Sequence, residues 1–204
     1  RIQATGYFDD IQSRLTNYKG GKKWTLTIKE HPAIRNIYFI GNQAIASKNL
    51  REKITLKEGD QLNLKQVRED IKRIEEFYKE EGFIFANVYK IDVPDDQTKD
   101  LSFFVSEASI TSVEVSGNTK TKDYVILREM DLKSGDQVNQ KDIKRDLSRV
   151  FNLNYFSEVV PDIVPVDKSE NKYKLLVNVK EKSTGSINLG GGWGQRSGLF
   201  VYSD

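Results

Sequence analysis

Side chains able to do covalent or metal chemistry are scarce in this 204-residue sequence, and the few present are poorly spaced for it. There is no cysteine, which removes disulfides, thiol nucleophiles and zinc sites built on thiolates. The single histidine, His31, lies in Lys-Glu-His-Pro with no second imidazole. A nucleophile–histidine–acid arrangement or a histidine-based metal cluster therefore lacks material, and His31 reads as a linker residue. Thirty Asp and Glu residues could supply an acid–base pair, but they fall in runs such as Arg68-Glu69-Asp70 and Lys79-Glu80-Glu81, which read as solvated helix faces. The glycines of 190–194 make no dinucleotide loop, since G-x-G-x-x-G begun at Gly190 fails at Gln195 and no capped helix follows. No catalytic, cofactor-binding or metal-ligating residue is expected, and no cofactor. Thirty-two Lys and Arg against thirty acids give a net +2, with Lys and Glu alternating, so a nucleic-acid partner is not expected either.

A repeat organises the chain. Leu56 to Asn63 reads Leu-Lys-Glu-Gly-Asp-Gln-Leu-Asn and Leu132 to Asn139 reads Leu-Lys-Ser-Gly-Asp-Gln-Val-Asn, with Gly59 and Gly135 offset by 76 positions. Working outward gives one element order twice. In the first copy Ile34 to Ile40 alternates as a strand closed by Gly41-Asn42, and Ser47 is placed to cap a short helix carrying Leu50 and Ile54. Gly59 supplies a backbone conformation that a Cβ resists, and Asn63 with Gln66 starts a long helix as in a capping box. That helix puts Leu64, Val67, Ile71, Ile74 and Tyr78 on one stripe and stops at Gly82. Strands Phe83 to Val93 and Leu101 to Ser106 follow, joined by the turn-rich Pro94-Asp95-Asp96-Gln97.

The second copy repeats this. Val113 and Val115 precede Gly117-Asn118, Ile126 and Met130 mark the short helix, and Asn139 caps a helix bearing Ile143, Leu147 and Val150. Its strand pair is Phe156 to Val166 and Tyr173 to Val179. Tyr155-Phe156-Ser157-Glu158-Val159 echoes Tyr7-Phe8-Asp9-Asp10-Ile11, so residues 1–31 are expected to be the C-terminal half of a preceding copy, a hairpin turning at Gly20-Gly21. Arg1 is not a natural start, so a processed or excised fragment is expected. From Ser183 the chain becomes glycine-rich, with Ile187, Leu189 and Trp193 on one face and Ser186 and Asn188 on the other. Such alternation reads either as the start of a membrane barrel or as a tail. No run of 18 apolar residues is present to form a transmembrane helix.

A strand, two helices and two strands in about 75 residues, with Gly41-Asn42 and Gly59-Asp60-Gln61-Leu62-Asn63 answered by Gly117-Asn118 and Gly135-Asp136-Gln137-Val138-Asn139, resembles the polypeptide-transport-associated (POTRA) domain. Tandem copies running into Thr184-Gly185-Ser186-Ile187-Asn188-Leu189-Gly190 resemble the entry to the barrel in outer-membrane β-barrel assembly factors of the BamA type. The resemblance implies an α+β fold of tandem β-α-α-β-β modules, each a three-stranded mixed sheet with two helices on one face. The modules are expected at 32–107 and 108–182, with 183–204 beginning the barrel. It implies a non-enzymatic region at the outer membrane, facing the periplasm, that binds unfolded barrel precursors and accessory assembly proteins. A two-partner secretion transporter or a plastid import homologue is the alternative within the family. A cell-division scaffold is the alternative outside it.

The resemblance also implies that the strand after the long helix lies at a sheet edge, where an extended client can add a strand. Pro161 and Pro165 interrupt that strand in the second copy, so Phe83, Ile84, Phe85, Ala86, Asn87, Val88, Tyr89, Lys90 and Ile91 of the first copy are the expected docking edge. Val88 is the position at which a proline would delete an edge donor. Phe83, Phe85 and Ile91 read equally as core. Comparison of the copies separates the sheet faces: Ile37 and Phe39 match Val113 and Val115, whereas Tyr38, Ile40 and Phe104 match Glu114, Ser116 and Asn178. The first copy thus presents Tyr38, Ile40 and Phe104 on its open face, as a contact surface or as packing against an adjacent module or crystal neighbour.

Overall fold

Each copy folds its period-two stretches into a three-stranded sheet and lays its 3.6-period stretch across one face. The computed structural model describes residues 5–95 and 97–183, and the backbone alone of 189–194 and 198–203. The opening hairpin pairs β1 (Phe8–Tyr18) with β2 (Gly21–Glu30). Module one comprises β3 (Asn36–Ile40), α1 (Ser47–Lys53), α2 (Leu64–Glu80), β4 (Asn87–Asp92) and β5 (Asp100–Ser106). Module two comprises β6 (Ser109–Ser116), α3 (Asp123–Leu127), α4 (Gln140–Asn152), β7 (Phe156–Asp167) and β8 (Lys172–Glu181). In both sheets the last strand is central: β5 runs parallel to β3 and antiparallel to β4, and β8 runs parallel to β6 and antiparallel to β7. Beyond them β9 (Leu189–Gly194) pairs antiparallel with β10 (Gly198–Ser203); residues 184–188 of the glycine-rich junction lie outside the described residues.

Each module has its own core. Ile37, Phe39, Leu101, Phe103 and Val105 from the sheet meet Leu50, Val67, Ile74 and Tyr78 from the helices. The second core matches it with Ile126, Ile143, Leu147 and Val150 against Phe156, Leu175, Val177 and Val179. The repeated stretch ties each long helix to the start of its module: Ile34 N–H, just before β3, donates to Asp60 O at 2.8 Å and Ile110 N–H of β6 to Asp136 O at 2.8 Å. Gly59 and Gly135 sit at φ +95° and +100°, which only a residue without a Cβ adopts cheaply.

The stretch also joins modules. Helix α2 ends in a Schellman turn, with Phe83 N–H donating to Tyr78 O and Gly82 N–H to Lys79 O, and the Tyr78 and Phe83 rings meet edge to face at 6.0 Å. That leaves the carbonyls of Glu81 and Gly82, and the next module takes both. Asn139 Nδ2 donates to Glu81 O at 3.1 Å and Gln140 N–H to Gly82 O at 2.9 Å. The Oδ1 of the same Asn139 caps α4 by accepting Lys141 N–H at 2.8 Å. One side chain therefore closes the end of one helix and the start of the next. The joint recurs upstream: Asn63 Nδ2 donates to Thr5 O at 3.1 Å, Leu64 N–H to Gly6 O at 2.9 Å, and Asn63 Oδ1 accepts Lys65 N–H at 2.9 Å. Gly82 and Gly6 lie at φ +99° and +87°, and a Cβ on either would collide with the capping asparagine. A second contact holds modules one and two: the ring of Phe85 stacks on Tyr173 at 4.6 Å, and Asn171 Nδ2 donates to Phe85 O at 3.1 Å.

Several sequence expectations change. The strand expected at 83–93 is β4, Asn87–Asp92, because the Schellman turn and the Phe85 contact hold residues 83–86 in a turn. Pro161 and Pro165 do not interrupt β7, which pairs with β8 through both, as Pro161↔Val177 and Pro165↔Tyr173. Ser47 is the first residue of α1, not its cap; Ala46 stands at the cap without a side-chain hydrogen bond. Ile71 is partly buried and Ile74 fully so. Asp70 is not solvated. It is wholly buried, accepting the N–H groups of Thr55 at 2.8 Å and Leu56 at 3.0 Å and pairing with Arg73 at 2.7 Å. Asp146 does the same for Asp131 and Leu132, each at 2.9 Å, with Arg149.

In urea unfolding, Ile74→Ala is expected to cost about 2–5 kcal/mol. Asp70→Ala, which strands two backbone donors, is expected to cost about 3 kcal/mol, while exposed Glu69→Ala stays within about 0.5 kcal/mol. Equal midpoints for the Asp70 and Glu69 variants would contradict the placement.

Candidate docking surfaces

Both strands that follow a long helix, β4 and β7, lie at sheet edges. Backbone groups on the outer side of an edge strand are what an added strand pairs with, and both edges are partly closed. In module one β4 has six residues and a register shift between Val88 and Lys90. The Val88 N–H, the donor that a proline would remove, already donates to Glu75 Oε1 of α2 at 3.1 Å. In module two β7 has 12 residues, and its prolines fix which way the strand faces. A proline that keeps its strand paired must turn its nitrogen away from the partner, so positions 159, 161, 163 and 165 face outward. Two of those four offer no donor.

The open sheet faces differ more. In module one the register sets Tyr38 beside Ser102 and Ile40 beside Phe104, and Lys90 opposite Phe104 on the other flank. Tyr38 is 47% exposed, Ile40 45% and Tyr89 62%. The Tyr89 ring meets Phe104 at 6.2 Å, and Lys90 Nζ lies 4.5 Å from the centre of the Phe104 ring. These side chains form one apolar, aromatic surface across three strands. The matching face of module two carries Ser116, Asn178 and an ion pair between Glu114 and Lys174 at 3.1 Å.

The other candidate residues sit elsewhere. Phe83, Ala86, Val88 and Ile91 pack against the core of module one, and Phe85 packs against module two. Ile84 is exposed in the turn before β4, and Asn87 opens the strand. The edge and the open face thus meet at Tyr89, which the copy comparison did not single out.

Two carboxylates hold the loops after the first strands. Glu107 accepts the N–H groups of Gln43 at 3.0 Å and Ala44 at 2.9 Å, and the Tyr78 hydroxyl donates to it at 2.7 Å. Burial, followed by that hydrogen bond, pushes the Tyr78 hydroxyl well above its ordinary pKa. Glu181 accepts the N–H groups of Thr121 at 2.7 Å and Lys120 at 3.1 Å and the Thr119 hydroxyl at 2.7 Å. Among the described residues, His31 Nε2 is buried with no hydrogen-bond partner, no group of three or more His, Cys, Asp or Glu side chains could hold a metal ion, and no helix is long and apolar enough to cross a membrane.

The POTRA family model, described as surface antigen variable number repeat, matches residues 32–108 and again 108–182. The outer membrane protein assembly factor BamA of Neorickettsia risticii is 32% identical over 209 residues, covering 97% of this chain and 28% of the relative. That of Neisseria meningitidis serogroup B is 26% identical over 98% of this chain and 26% of its own length. The chain thus spans about a quarter of the curated relatives it matches. Among solved structures, the N-terminal domain of Omp85 from Thermosynechococcus elongatus superposes with a TM-score of 0.78 at 29% identity, covering 90% of this chain and 80% of that one.

The loop clamp sets a pH dependence. Hydrogen bonds, foremost that from Thr121 N–H, hold Glu181 down to about 2 from its ordinary 4.5. A depressed carboxylate stabilises the fold fully above its unfolded value and loses that contribution as pH falls through the folded one. In a Glu181→Gln variant, the loss of stability between pH 4.5 and about 2 is expected to be shallower than in the parent. Unfolding curves that keep the same pH slope would contradict this.

Proposed function

This chain belongs to the POTRA family, and on that premise we propose that it is the periplasmic part of an outer-membrane protein assembly factor. It receives unfolded β-barrel precursors and accessory proteins and passes clients to an adjoining membrane barrel. The reading rests on one observation above all: similarity to BamA assembly factors extends over nearly the entire chain, across both modules and into the segment that follows them. The glycine-rich strand β9, paired with β10 shortly after module two, is in keeping with the entry to a barrel. The work is binding, not catalysis.

Client segments dock on module one, along β4 and across the surface of Tyr38, Ile40, Tyr89 and Phe104. Partly unfolded barrel strands alternate apolar and polar residues, so each offers an apolar row to such a face while its backbone is free to pair. The rings of Tyr38, Tyr89 and Phe104 supply contact area at low entropic cost, and Lys90 at the rim keeps the surface soluble.

A photo-crosslinking residue placed at Tyr89 of the 204-residue protein is expected to capture a urea-diluted outer-membrane barrel protein. One placed at exposed Lys72 on α2 is not. Phe104→Ser should weaken capture roughly tenfold, as expected for the centre of an interface. Equal capture from both positions, unaffected by Phe104→Ser, would overturn the proposed surface.

A further inference from the structure

The copies also diverge beside the long helix: Glu75 of α2 corresponds, 76 residues on, to Phe151 of α4. Strand pairing makes Val88 and Val159 equivalent, since they lie opposite Val105 and Val179. In module one Glu75 reaches across and holds the Val88 N–H. In module two there is no carboxylate to do so, and a groove of about 680 Å³ opens between α4 and β7. Ile143, Leu147, Phe151, Val159 and Pro161 line it, and Phe151 is 48% exposed. Lys144 stands on its wall as a cation, while Lys141 at the wall's end is paired with Glu81 of module one at 3.5 Å; among the described residues no Asp or Glu lines the groove.

These features select an occupant. An added strand needs a donor at each outward position, and Pro161 and Pro165 remove alternate ones. A segment that gains little from the edge must satisfy its own backbone, which a helix does within itself. The floor is apolar and the wall is cationic, so the complementary surface is an apolar stripe flanked by carboxylates. We propose that the groove between α4 and β7 binds an acidic amphipathic helix of a partner protein. The helix seats its apolar side chains on Leu147, Phe151 and Pro161 and sets its carboxylates against Lys144. This concerns a different surface from the client face of module one and stands independently of it. It also gives the prolines a function: they bar strand addition from a groove that takes a helix.

The test titrates the ¹⁵N-labelled 204-residue protein with a synthetic helix-forming peptide carrying a Leu/Phe stripe flanked by glutamates. Two controls run beside it, the same stripe flanked by lysines and an extended peptide of alternating Val and Thr. The glutamate peptide is expected to shift amides of α4 and β7 and not those of β3 or β4. Its affinity should fall about tenfold in Phe151→Glu, which restores the module-one residue, and severalfold in Lys144→Glu, with loss at high salt. Both positions are exposed, so the variants keep the fold, as circular dichroism would verify. Equal binding of the lysine-flanked peptide, affinity unchanged by Phe151→Glu, or tighter binding of the extended peptide with new protection at Val159 and Ile163 would each overturn the proposal.

Discussion

A single asparagine side chain serves two helices, and the arrangement of the modules depends on it. The last carbonyls of a helix and the first N–H groups of the next are polar groups with no partner inside their own helix, and leaving them buried and unpaired is costly. Asn139 meets both needs at once, accepting from Lys141 with Oδ1 and donating to Glu81 with Nδ2. The glycine beside it must lack a Cβ for the asparagine side chain to come this close. Asn63 repeats the arrangement with Thr5 and Gly6. The joint is thus periodic, as the sequence is. Between modules one and two it is reinforced by Asn171 and by the Phe85–Tyr173 stack.

A repeated joint lets the copies diverge where function is served. Modules one and two share the sheet order, the buried Asp–Arg pair and the loop-holding glutamate. They differ in the open sheet face, aromatic in one and polar in the other, and in the groove beside the long helix. Module one keeps only a cleft of about 320 Å³ there, with Glu75 on its wall and bonded to Val88; module two leaves a larger, apolar groove and strips donors from the edge. Natural sheets blunt their edges against unwanted pairing; module one occupies a single β4 donor, that of Val88, whereas module two lacks two on β7. Two surfaces of different chemistry are the result, on modules linked by the joint.

Much of this was legible in the sequence because duplication works as a second measurement of the same fold. Offsets of 73 to 76 positions located the helices, the Asn caps and the inward and outward strand residues before any coordinates. The same offset also marks a feature that composition hides. Asp70 and Asp146 fall on the apolar stripes of their helices, each three residues before an arginine, and a carboxylate kept on that stripe in both copies marks a buried anchor. Composition pointed the other way, since Arg68-Glu69-Asp70 looks like an ordinary solvated run. The strand start was misplaced because Phe83 to Ala86 has strand-like residues whose conformation is set by tertiary contacts, the Schellman turn and the Tyr173 ring. The prolines misled for a related reason: a proline removes a donor from one side of a strand only, and β7 turns that side outward. The second bond of each capping asparagine is not encoded locally, because its partner belongs to the preceding module.

The central claim is that the asparagine joint fixes modules one and two as a single body, so that the aromatic face and the groove keep a constant relation. Backbone N–H residual dipolar couplings across residues 34–106 and 110–181, measured in one alignment medium, test it most directly. One alignment tensor that fits both modules together as well as each alone is the predicted result. Two tensors of clearly different magnitude would contradict it, showing that the modules reorient independently about the joint.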